Sequence, residues 1–205
     1  MTLGLREQKK QETREAIVDA AMRLFVERGF EGVTVADVAE AARVSVKTVF
    51  NYFATKEDLF FDEADARRDA LVACVREREV GESLLAAVRR SAVANCSRLS
   101  SREFASFARV IEESPALQNK ERAMFVGFSR AAAAELIAEG VPEAQASVAC
   151  AAIAGVYARL FATARQRALA GWSGPEAEEQ LRVEVQEGFA LLERGLGSFA
   201  PKAAG

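Results

Sequence analysis

The stretch T-V-A-D-V-A-E-A-A-R-V-S-V-K-T-V-F-N-Y-F-A-T-K, residues 34–56, decides how this chain begins to fold. Val35, Val38, Ala39 and Ala42 recur at helical spacing, and Val49, Phe50 and Phe53 repeat that spacing beyond a break at Arg43-Val44. The pattern predicts two short amphipathic helices sharing one small core, with a third helix starting after Thr55. Thr34 followed by Asp37, and Thr55 followed by Asp58, have the form of capping boxes, in which hydroxyl and carboxylate each satisfy an orphan backbone donor. Ser45 is placed to cap the middle helix. A helix that short gains little stability of its own, which directs attention to its outward residues Val46, Lys47, Thr48, Asn51 and Tyr52.

Upstream, a helix is expected over 13–28, with Ile17, Ala21, Leu24 and Phe25 on one face and Gly29 as its C-terminal cap. Phe30 then turns back toward the core. Before that helix, residues 6–14 hold Arg6, Lys9, Lys10 and Arg14 against Glu7 and Glu12, four positive charges less two negative. Two readings stand for this segment: a flexible arm on a phosphate backbone, or a frayed and solvated helix start. Downstream of Thr55 a long helix is expected to about residue 79, with Leu59, Phe60, Ala64, Leu71 and Val75 inside and Arg67, Arg68, Arg76 and Arg78 largely outside. Further helices are expected over 82–100, near 104–111, over 116–139 and 143–170, and after Pro175, punctuated by Ser114-Pro115 and Gly140-Val141-Pro142. The chain therefore reads as all-α with about nine helices. The tail 198–205 is expected to be disordered.

Composition narrows the function. At 205 residues the chain fits one large or two small domains. A net charge of -3 gives no whole-molecule attraction to nucleic acid, so any such binding must rest on local charge. There is no histidine, which removes Ser-His and Cys-His nucleophile pairs and the usual general base near neutral pH. Cys74, Cys96 and Cys150 are odd in number and far apart, so neither a metal site nor a disulfide framework is expected, and a reducing cytoplasm fits. No cofactor motif is visible. The N-terminal residues lack the apolar run of a signal peptide. The most apolar segment, 148–164, contains Arg159 and falls short of the ~18–20 apolar residues of a membrane span, so it is expected to be a buried helix and no membrane partner is expected.

Residues from about 16 to 59 resemble the N-terminal domain of TetR-family transcriptional regulators. The resemblance rests on A-A-M-R-L-F-V-E-R-G-F at 20–30, V-T-V-A-D-V-A-E-A-A at 33–42 and V-S-V-K-T-V-F-N-Y-F-A-T-K-E-D-L at 44–59. It implies an all-α homodimer: a three-helix N-terminal helix-turn-helix domain, placed at 1–58, and a C-terminal helical ligand-binding and dimerisation domain, placed at 59–205. In a helix-turn-helix the second helix enters the major groove, which makes 46–53 the recognition helix. Lys47 and Asn51 lie four apart on one face, and a lysine can donate to guanine while an asparagine bridges adenine. Val46 suits a thymine methyl. Thr34, Ser45, Thr48, Tyr52 and Lys56 offer hydroxyls or a cation near helix ends, a set suited to phosphate that the resemblance supports. Arg43 stands where the family often has glycine; its backbone is expected to need a positive φ, and it is a secondary phosphate candidate. Each has a plain alternative: a solvated lysine, or Tyr52 packed on the first helix.

The C-terminal part is less legible. Phe60, Phe104, Phe107, Phe125, Phe128, Tyr157, Phe161 and Trp172 suffice either to line an apolar effector cavity or to form ordinary core, with Asn95, Arg109, Glu112, Ser129 and Gln166 interleaved. In the last helix Leu181, Val185, Gly188, Phe189, Leu192 and Leu196 form one stripe. Its partner is either a helix of the same chain or a second copy, and a homodimer through the last two helices is the expectation. The function expected is a DNA-binding regulator, a repressor released from a palindromic double-stranded operator by a small apolar or amphipathic molecule. One alternative keeps the DNA-binding head and has the C-terminal domain dock a protein partner. An enzyme using carboxylates such as Glu112, Glu113 and Glu135 is not expected.

Overall fold

The computed structural model describes residues 4–196, so the tail at 198–205 lies outside the described residues. Eleven helices follow one another among them: α1 Leu5–Arg28, α2 Val35–Ala41, α3 Val46–Tyr52, α4 Lys56–Phe60, α5 Ala64–Arg76, α6 Leu84–Ala94, α7 Cys96–Leu99, α8 Arg102–Glu112, α9 Pro115–Ala138, α10 Glu143–Leu169 and α11 Pro175–Leu196. The excess over nine arises where two expected helices break. The helix after Thr55 stops at Phe61, whose φ of -103° and ψ of 39° leave the helical course. Leu59, Phe60 and Phe61 are all buried, and three consecutive residues of one helix fan across too wide an arc to enter the same core. The expected helix over 82–100 likewise divides at Asn95 into α6 and α7.

The chain forms two compact units, one comprising residues up to Ala64 with Arg109–Lys120, the other Asp65–Ala108 with Glu121 onward. In the first, α1 packs on α2 and α4, and α2 packs on α3. Ile17, Ala21, Leu24 and Phe25 are buried as the stripe predicts. Phe25, Phe30, Phe60 and Phe61 interlock, with centroids 5.0 Å apart for Phe25–Phe30 and for Phe60–Phe61. Phe60 therefore belongs to this core rather than to the C-terminal aromatic group. Arg109–Lys120 closes on the same unit through two polar ties. Ser114, 1% exposed, caps α9 at Leu117 and donates to Glu31 Oε1 at 2.6 Å. Lys120 Nζ lies 2.6 Å from Asp58 Oδ1. Burial works against ionisation of Asp58, yet hydrogen bonds from Lys120 and Thr55 hold it below the usual carboxylate range.

In the second unit α11 packs on α6, α7 and α10. Leu181, Val185 and Phe189 are buried, and a Cβ at Gly188 would lie 3.3 Å from Val156 Cγ1, so helix approach is close there. Arg78 departs from expectation. It is 1% exposed rather than outward, and it forms a two-pronged pair with Glu139, one arm at 2.8 Å. One helical turn back along α9, Glu135 receives Arg76 at 2.7 Å. Burial pushes the Cys150 thiol up to about 11, which makes it a poor nucleophile.

The long helix α10 is not the buried helix expected. Its most apolar eighteen-residue window has a mean hydropathy of 1.5, enough by length and composition for a membrane span, and only 28% of that window is buried. One such helix is weak evidence for a span. Ile153, Phe161 and Ala164 face the core while Val148 is 68% exposed, so α10 has one covered face and one bare apolar face.

Candidate nucleic-acid interface

The sequence 34–56 folds as a helix-corner-helix held by local caps. Thr34 caps α2 in a reciprocal box: Asp37 N donates to Thr34 Oγ1 at 3.1 Å, while Thr34 N and Oγ1 donate to Asp37 Oδ2 at 2.7 and 2.6 Å. These hydrogen bonds from Thr34 hold the Asp37 carboxyl below its usual range. Ser45 Oγ accepts from Thr48 N at 3.0 Å and caps α3, and Thr55 with Asp58 caps α4 in a second reciprocal box. At the corner Arg43 has a φ of 55°, the left-handed conformation expected from its place, and Val44 N donates to Ala39 O at 2.9 Å to close the turn. A non-glycine residue there costs about 1–2 kcal/mol. Arg43 is exposed.

α3 is seven residues long and buries a single stripe, Val49 at 1% exposure and Phe53 at 4%. Everything else on it falls into three i, i+4 pairs, each pair sharing a face. Lys47 and Asn51 are exposed. Thr48 and Tyr52 are half-buried, and the Thr48 and Ser45 hydroxyls are 2.8 Å apart. That contact uses one of two hydroxyl protons and leaves the other available to an acceptor. Val46 and Phe50 form the third pair, 41% and 52% exposed. Phe50 was expected in the core with Val49 and Phe53, and it is instead an outward aromatic which that expectation overlooked. The signal was present: Val49 and Phe53 already fill the one stripe a two-turn helix can bury, and Phe50 stands one residue off it.

Two expected phosphate residues are engaged elsewhere. Both donors of Thr34 serve Asp37. Lys56, half-buried at the start of α4, donates to Phe30 O at 2.8 Å and Val33 O at 3.0 Å, and its ammonium lies 4.0 Å from the Phe30 ring centroid. It ties α4 to the loop between α1 and α2. Arg14 makes a comparable tie, with its guanidinium 4.6 Å from the centroid of Phe53, the C-cap of α3, and Nη2 donating to Asp62 O at 2.8 Å.

Residues 17–62 match the family described as bacterial regulatory proteins, tetR family. That segment of the chain is a TetR-type N-terminal domain. The chain is 36% identical over 85 residues to the HTH-type transcriptional regulator TcmR of Streptomyces glaucescens, covering 42% of this chain and 38% of that protein. The chain spans about two fifths of the length of the curated relatives it matches. Among solved structures, NalD of Pseudomonas aeruginosa, described as the secondary repressor of the MexAB-OprM multidrug efflux pump, is similar over 89% of this chain and 96% of its own at a TM-score of 0.57 and 17% identity. The regulator FadR of Bacillus subtilis, solved in complex with stearoyl-CoA, is similar over 91% and 99% at a TM-score of 0.55 and 18% identity. At those identities the likeness shows the TetR-family fold and nothing finer.

Proposed function

We propose that this TetR-family chain is a ligand-responsive DNA-binding regulator, a repressor that holds a palindromic operator as a homodimer and leaves it when a small apolar or amphipathic molecule binds. The observation that carries the reading is the outward face of α3, where an apolar pair, a polar pair and a hydroxyl pair stand side by side over a sealed core stripe. In the major groove Lys47 donates to guanine and Asn51 bridges adenine, while Ser45, Thr48, Tyr52 and Arg43 meet phosphates. Thr34 and Lys56 hold the frame. Replacing Lys47 and Asn51 by alanine should remove about 1–3 kcal/mol of discrimination each, read by titrating operator against a scrambled duplex of equal length. An unchanged ratio would show that other residues read the bases.

Phe50, with Val46, takes the thymine methyl. Deoxyuridine in place of thymidine deletes that methyl alone, so wild-type affinity should fall by about 0.8 kcal/mol, roughly fourfold, at each contacted thymine. Phe50→Ala should show a smaller difference between the two duplexes, with Val46 keeping the remainder of the methyl contact. A wild-type protein indifferent to the methyl would remove Phe50 from the reading set.

The head at 1–58 reads DNA in this account, and 59–205 dimerises and takes the effector. The apolar face of α10 left bare, with Val148 exposed, and exposed Val183 and Leu191 on α11 supply the dimer surface; Leu181, Val185 and Phe189 of the α11 stripe are buried within the chain. For the effector, the second unit offers Phe104, Phe125, Phe128, Tyr157 and Phe161 in mutual ring contact, several of them only half-buried. Asn95 donates to the Tyr157 hydroxyl at 3.3 Å beside them. The stearoyl-CoA held by FadR is an amphipathic ligand of the kind such a wall suits. Because α4 stops before Phe61, the element we assign to carry an effector's influence is α9, whose N-cap Ser114 and second-turn Lys120 are tied to Glu31 and Asp58. A change of effector state biases the head only by the ligand's preference between conformers, and tenfold weaker operator binding requires about 1.4 kcal/mol.

A further inference from the structure

Residues 6–14 form the solvated start of a helix rather than an arm without regular structure: α1 is continuous from Leu5. Its buried stripe, Leu24, Ala21 and Ile17, continues toward the N-terminus in steps of three and four through Thr13, Lys10 and Arg6. One helical phase thus changes from core to cation, with Lys9 beside it. The acidic residues Glu15 and Asp19 keep to the far side, and Gln8 and Gln11 donate to Glu12 and Glu15 at 3.0 and 2.8 Å; Glu7, three residues before Lys10, and Glu12, three after Lys9, border the basic face. Leu5 to Glu12 is exposed throughout. The direction of this overhang is set by Arg14, which lies over Phe53 at the C-terminal end of the recognition helix. Lys10 is four residues farther out on the same side, about 6 Å along the axis.

We propose that the α1 overhang is a second DNA-contacting element, a rigid basic prong whose Arg6, Lys9 and Lys10 lie along phosphates flanking the bases read by α3. The proposal rests on the DNA-binding reading above. From Arg6 to Lys10 the helix advances about 6 Å, so three long cationic side chains lie close enough together to serve a short run of neighbouring phosphates. Cations on a preformed helix contact successive phosphates without the ordering cost of a disordered arm. They add affinity and on-rate, and leave base preference alone.

The test compares wild type with Arg6→Ala/Lys9→Ala/Lys10→Ala on a selected palindrome, between 50 and 200 mM salt, on duplexes trimmed to the palindrome and on duplexes with flanks extended by about ten base pairs. Each phosphate contact contributes about 0.9 to the salt slope, so the loss of three contacts in each of the two subunits on a palindrome should lower its magnitude by about 5.4. Wild type should gain affinity from the flanks and the triple variant should not, with operator-to-scrambled ratios equal in both. Alanine favours helix, and unchanged circular dichroism melting confirms that the variant folds. A variant with the wild-type slope and flank gain overturns the prong and leaves the α3 reading intact, whereas a wild-type protein with no preference for any duplex overturns both.

Discussion

Lys56→Met should destabilise the DNA-binding head by about 2–4 kcal/mol, because it deletes two charge-assisted hydrogen bonds and a cation–π contact while keeping the aliphatic stem. The carbonyls of Phe30 and Val33 lose their ammonium donor, and the loop before α2 loses its hold on α4. The lone tryptophan, Trp172, lies in the other compact unit, so its fluorescence is the wrong probe. Hydrogen exchange of amides in α1, α2 and α3 reads the head directly, and their protection should fall by roughly thirtyfold to a thousandfold. If Lys56 serves only as a phosphate clamp, exchange will be unchanged and operator affinity alone will drop. That outcome would return Lys56 to the phosphate set.

The second large effect concerns the bare faces of α10 and α11. Val148→Glu with Leu191→Glu places carboxylates on exposed apolar positions, so the folded monomer should tolerate them. Across a two-fold interface each substitution appears twice, and buried unpaired charge costs several kcal/mol. Sedimentation should show a wild-type dimer and a monomeric variant, and operator affinity should fall at least about a hundredfold, roughly 2.7 kcal/mol. A monomeric wild type, or a variant that remains dimeric, would place the assembly surface elsewhere.

What the sequence made legible is what local chemistry encodes. Thr34 with Asp37, Thr55 with Asp58, and Ser45 with Thr48 are caps closed within three residues, and all three form as read. The positive φ of Arg43 was expected from the family resemblance, which often has glycine at that corner, and it is present. The features that were not legible depend on distant partners. Lys56 finds its acceptors 26 and 23 residues away, and Arg78 is buried because Glu139 reaches it across 61 residues. Lysine and arginine pattern as surface residues until such a partner is in place. Phe50 shows the opposite error, an aromatic assigned to the core by type when a seven-residue helix had no buried position left for it. The C-terminal aromatic cluster stays least legible, since half-buried rings such as Phe125 and Tyr157 pattern like ordinary core.

The central claim, that the outward face of α3 reads one half of a two-fold operator, is tested most directly by sequencing duplexes selected from random DNA by the full chain and by its Lys47→Ala/Asn51→Ala variant. Wild type should enrich an inverted repeat whose half-site centres are one helical turn apart, about 34–36 Å, and the variant should lose the enrichment while retaining salt-sensitive binding. No enriched sequence from wild type, or the same repeat from the variant, would contradict it.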